Sequence, residues 1–144
     1  MSNTSFKKDS GEVVINESER IGPQTTKKEF LDSSIGKSAT LSPLPESVPE
    51  GHVAYTFHLP TDSELIFDFM VSFTGEKIVG VSFGYEDEGS RNPSSENVET
   101  LKKLNDAWLE KQIGVLKADY SWGTIQSFID NGRSPFAAIV IEYK

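Results

Sequence analysis

The 144-residue chain contains no cysteine, which rules out disulfides, thiolate zinc sites and cysteine nucleophiles together and leaves packing alone to hold the fold. Histidine is nearly as scarce, with His52 and His58 alone. No stretch approaches the roughly 20 apolar residues of a membrane span, and the first residues, MSNTSFKKDSGEVV, lack the apolar run of a signal peptide. A cytoplasmic protein with no membrane contact is therefore expected. Lysine plus arginine number 14 against 22 aspartate plus glutamate, a net charge of −8, which opposes binding to nucleic-acid phosphates and anionic membranes and steers a basic partner inward.

Familiar catalytic and binding patterns fail on inspection. Gly36-Lys37-Ser38 looks like the end of a phosphate-binding loop, but that motif needs a glycine where Leu31 stands. His52 and His58 share a strand face, yet at about 3.3 Å per residue they stand about 20 Å apart, too far to share a metal. Two exposed histidines are the expected outcome. No G-x-S-x-G elbow or comparable frame accompanies the serines and threonines. The run Glu86-Asp87-Glu88 lacks the spacing of an EF-hand loop and reads as a solvated acidic turn, suited to a basic protein partner. Neither a cofactor nor a metal is expected.

The residues present specify an α+β fold, a mainly antiparallel sheet built from a three-strand meander plus a C-terminal hairpin, packed against one long helix and preceded by a short one. Residues 1–11 are expected to be a flexible N-terminus and 12–144 a single domain. Val13, Val14 and Ile15 offer a short edge strand. Thr26-Lys27-Lys28-Glu29 matches a capping box, from which a short helix should run with Phe30 and Leu31 inward and stop at Gly36. From His52 to Tyr85 the apolar period is two, so that Val53, Tyr55, Phe57 and Leu59, then Leu65, Phe67, Phe69, Val71 and Phe73, then Val79, Val81, Phe83 and Tyr85 line one face. The expected register sets Leu59 opposite Leu65 and Val71 opposite Val79, giving rows Phe57-Phe67-Phe83 and Tyr55-Phe69-Val81.

Asn92-Pro93 opens a helix that Gly114 ends, with Val98, Leu101, Leu104, Ala107 and Trp108 as its apolar stripe. The last strand, Phe136 to Ile141, is apolar on both faces and belongs inside the sheet. Asp130-Asn131-Gly132 turns the chain back from a strand over Thr124–Ile129, and Trp122 is expected in the core. On the sheet face opposite the aromatic rows, Ile66, Met70 and Ile78 lie among Gly80, Gly84, Ser82, Thr56 and Asp68. That face is expected to be covered by the N-terminal segment and short helix, or else exposed as a surface for another protein. Glu86, Asp87, Glu88, Ile66, Met70 and Ile78 are the candidate partner-binding residues.

Several stretches together resemble a group of small uncharacterised bacterial proteins: S-G-x-V-x-I at Ser10–Ile15, T-x-x-E-F-L-x-S at Thr26–Ser33, D-A-W-L at Asp106–Leu109, and Y-x-W-G followed by I-V-I-x-Y at the C-terminus. The likeness implies a non-enzymatic protein-binding module of the immunity-protein type, which neutralises a cognate toxin through a basic toxin domain. An adaptor or secretion chaperone is the alternative. A third possibility is an enzyme using carboxylates around Asp68, Asp119 and Asp130. Nothing in the residues specifies an oligomeric state.

Overall fold

Strand β10 (Phe136–Tyr143) lies inside a seven-stranded sheet, as its two-sided apolar run requires. The computed structural model describes residues 4–16, 18–43, 49–61, 65–86, 95–130, 132 and 135–144, with the backbone alone for 95–97. Strand β10 pairs antiparallel with β7 (Lys77–Glu86) on one side and β9 (Gly123–Asp130) on the other. Beyond β7 follow β6 (Ile66–Thr74), β5 (His52–Pro60) and the short β4 (Thr40–Leu41); beyond β9 lies the edge strand β8 (Lys117–Tyr120). The expected meander and C-terminal hairpin are both present, joined through β7 and β10.

The meander keeps the expected faces but not the expected register. Leu59 stands opposite Phe67 and Val71 opposite Val81, so the rows are Phe57-Phe69-Phe83 and Tyr55-Val71-Val81. An even shift preserves which side chains point inward, which is why periodicity cannot detect it. Phe69 is stacked between Phe57 and Phe83 with ring centroids 4.9 and 4.8 Å away. A β-bulge interrupts the β6–β7 ladder: Ser72 faces Gly80 and Phe73 faces Ile78, leaving Val79 as the extra residue. Alternation reverses there, so Ile78 is 1% exposed in the core while Val79 is 38% exposed.

Helix α3 (Ser95–Ile113) covers the aromatic face, Trp108 meeting Phe67 and Phe83 edge-on at 5.9 and 5.2 Å. It ends as expected at Gly114, whose φ of 83° favours glycine and whose N–H closes on the Glu110 carbonyl at 2.8 Å. Its buried stripe is rotated from the expected one. Leu104 is 37% exposed, whereas Asn105 is fully buried beside Leu109. Polar hooks set this rotation: the Tyr85 backbone N–H donates to Asn105 Oδ1 at 2.9 Å, and Asp106 accepts from Ser127 Oγ at 2.5 Å and Lys102 Nζ at 2.6 Å.

The capping box forms, with Glu29 N–H donating to Thr26 Oγ1 at 3.1 Å and Thr26 N–H to Glu29 Oε1 at 3.2 Å. Its helix α1 (Lys27–Asp32) stops earlier than expected, because Ser33 caps a second short helix, α2 (Ser34–Ser38), accepting from Gly36 N–H at 3.0 Å. Gly36 thus lies within a helix, against the Phe30 carbonyl, where a Cβ would not fit. Buried Phe30 packs on Tyr55, Phe57 and Phe73, placing α1 on the same face as α3.

Residues 5–7 open a second, smaller sheet. Strand β1 (Ser5–Lys7) pairs with β2 (Glu12–Val14), which pairs in turn with β3 (Arg20–Ile21), making β2 the middle strand of a small sheet rather than an edge. Phe6 meets buried Trp122 edge-on at 5.6 Å, Trp122 Nε1 donates to the Lys8 carbonyl at 2.7 Å, and Tyr143 Oη donates to the Gly11 carbonyl at 2.6 Å. Burial holds the Tyr143 phenol well above its usual pKa, with the Glu12 carboxylate adding to the shift. The single core cluster runs from Phe6 through to Ile141.

Candidate functional site

Every described element outside the large sheet that covers it lies on the aromatic face: α3 through Trp108, α1 through Phe30, and the small sheet through Phe6. The N-terminal segment and short helix therefore do not cover the second face, contrary to expectation. Along β6 that face carries Ile66, Asp68, Met70 and Ser72; β5 adds Thr56 and His58, β7 adds Ser82, Gly84 and Glu86, and β10 adds Ala138 and Val140. Ile66 and Met70 stand where the sequence placed them, half-buried. Ile78 does not, because the bulge turns it into the core. Asp87 and Glu88 lie outside the described residues, and Glu86 is the last residue of β7.

The uncovered face is hollowed by a groove of about 520 Å³ with Met70, Ser82, Ala138 and Val140 along it and Asp68 and Glu86 at its acidic side. Its origin is a parting of two strands. Ladder pairing between β7 and β10 runs from Gly80–Glu142 to Phe83–Ile139, and past it the Tyr85 N–H turns to Asn105 instead. Helix α3 reaches the groove at this point through Val98 and Leu101. Gly84 permits the approach: a Cβ there would lie 2.9 Å from Asn105 Nδ2 and 3.2 Å from the Ala137 carbonyl. Asn105 Nδ2 itself is buried and, among the described residues, has no hydrogen-bond partner, an arrangement that costs about 1–3 kcal/mol when nothing satisfies it.

The acidic side has its own order. His58 Nε2 lies 3.0 Å from Asp68 Oδ1 across the β5–β6 ladder, and Asp68 shares a hydrogen bond with Glu86. Burial first, then the hydrogen bond to Asp68 and its negative charge, push the Glu86 carboxyl up to about 7, with His58 opposing. The folded state thus binds this proton more tightly than the unfolded chain, whose glutamate titrates near the ordinary 4.5. The associated stability is present in full below about pH 4.5 and is lost as pH rises through about 7. Solvent screening of a partly exposed carboxyl reduces the effect to about 1 kcal/mol. Glu86→Gln, which mimics the protonated form, is expected to flatten the fall in urea-melt stability between about pH 5 and pH 8 by that amount; parallel wild-type and variant curves would contradict the shared proton.

Beside the groove, Phe128 and Phe136 are exposed with ring centroids 5.7 Å apart. Neither ring stood out in the sequence, since hairpin residues announce their outward direction only once the β9–β10 register, Phe128 opposite Ala138, is known. The carboxylates weighed for an enzyme are not brought together: Asp119 is on β8, Asp130 at the end of β9 and Asp68 on β6, with β8 and β6 four strand spacings, or about 19 Å, apart. His52 Nδ1 is 3.2 Å from Thr74 Oγ1, away from His58. Among the described residues, no three or more histidine or acidic side chains are grouped to hold a metal ion, and no described helix is long and apolar enough to cross a membrane.

Comparison with solved structures returns a chain from the complex described as "Rhs1-CT in complex with cognate immunity protein RhsI1", with a TM-score of 0.62 and 16% sequence identity over 98% of this chain and 87% of that one. The likeness is one of fold. No protein-family model and no curated protein matches the sequence.

Proposed function

We propose that this chain is a non-enzymatic protein-binding module, an immunity protein that neutralises a cognate bacterial toxin in the cytoplasm. The observation that carries the reading is the fold match over 98% of the chain to a chain of the complex between Rhs1-CT and its cognate immunity protein. Of the two roles in such a pair, the inhibitor suits this molecule: it carries a net charge of −8, and Asp68, Asp119 and Asp130, the carboxylates weighed for an enzyme, lie on separate strands. A broad sheet face left without cover by the described elements, edged by exposed Phe128 and Phe136, supplies the kind of surface on which a partner docks.

Co-expression with the toxin domain encoded beside it is expected to rescue growth, and the purified pair to associate faster at low salt. Exchange of Glu86, Asp87 and Glu88 for lysine should slow that association about tenfold at low ionic strength. Absence of both protection and binding would remove the immunity reading, as would toxicity of this chain expressed alone. Salt-independent association would remove the acidic-loop mechanism alone.

A further inference from the structure

We propose that the groove on the uncovered sheet face receives an arginine-bearing partner segment, its guanidinium entering between Asp68 and Glu86 and its apolar neighbours resting on Met70, Val140 and Phe136. The inference rests on the protein-binding reading and deepens it by naming the contact.

Charge complementarity carries it. Two carboxyl groups hydrogen-bonded to each other on one wall of a groove have, among the described residues, His58 as their only ion-pair partner. Like-charged groups so placed are stable when a proton lies between them or a cation replaces it. Arginine suits the replacement, because its planar fork of five donors spans two carboxylates, remains charged and loses less hydration than an ammonium group. The opposite wall is apolar, made by Val140, Phe136, Val98 and Leu101, and matches the side chains that flank such an arginine.

The exposed rings beside the groove point the same way. Exposed Phe128, its ring tilted against that of Phe136, extends the apolar side into an aromatic anchor of the type that dominates protein interfaces.

Binding of a cation must displace the shared proton, so affinity should rise with pH. Among the described residues, the titratable groups facing Glu86 are Asp68 from β6 and His58 from β5; Val98 and Leu101 of α3 and Phe136 of β10 carry no charge. The probe is acetyl-Leu-Arg-Leu-amide, compared with the same peptide carrying glutamine at its centre and followed through the Met70 methyl resonance. The arginine peptide is expected to bind about tenfold more tightly at pH 8 and to weaken about threefold at pH 6. Combined Asp68→Asn and Glu86→Gln should abolish the preference, with a cooperative melt confirming the fold, while Glu110→Gln on the exposed side of α3 should retain it. Equal binding of the two peptides, a preference that survives the double variant, resonance shifts confined to other surfaces, or no binding at millimolar concentration would each overturn the proposal. A protein that protects cells yet ignores the peptide loses this inference alone; one that selects the arginine peptide yet fails to protect loses the immunity reading alone.

Discussion

A chain truncated after Arg133 is expected to yield no cooperatively folding protein. The deletion removes β10, whose backbone pairs with β7 on one side and with the whole of β9 on the other. What remains is a sheet of β4 to β7 and a detached β8–β9 ribbon, and a two-stranded ribbon is marginal in water by itself. The loss also takes buried Ile139 and Ile141 from the core and Tyr143 from its hydrogen bond to the Gly11 carbonyl, freeing the small sheet as well. The combined cost exceeds the roughly 5–15 kcal/mol by which a domain of this size is stable. Circular dichroism and thermal melting of the truncated chain decide the matter: a soluble product with a sharp transition would show that β10 is dispensable.

Phe69→Ala is expected to destabilise the protein by about 3–5 kcal/mol, through lost transfer energy and the cavity left behind. Phe69 is fully inaccessible and stacked between the Phe57 and Phe83 rings, which the covering helices hold in place from above. Neither neighbour can collapse into the space without leaving its own contacts, so the cavity persists. Trp108→Ala should fall in the same range, since it removes the edge-on contacts by which α3 sits on Phe67 and Phe83. Urea melts measure both. A loss below about 1 kcal/mol at either position would mean that the site repacks freely, against the close packing of protein interiors.

The groove and the parting of β7 from β10 have one cause. Asn105 takes the Tyr85 N–H that would otherwise continue the ladder to β10, and in doing so draws α3 toward the groove. The same contact buries an asparagine where the apolar stripe had favoured Leu104. A residue that looks misplaced by pattern is thus the one that shapes the candidate site, as expected where function competes with packing.

What the sequence determined by itself is the set of local signals that depend on near neighbours: period-two strands with one aromatic face, the capping box at Thr26, the helix end at Gly114 and the interior position of the last strand. Each is set by side-chain direction or by a hydrogen bond within a few residues, so the chain spells it out directly. The tertiary structure decided the rest. Register differed by an even step that leaves every face unchanged, and the bulge at Val79 exchanged Ile78 into the core because two adjacent branched residues satisfy either alternation. The rotation of α3, the side on which the N-terminal sheet settles and the meeting of His58, Asp68 and Glu86 all arise from contacts between distant segments. Such contacts form only after the chain has folded back on itself, and periodicity along a single segment carries no record of them.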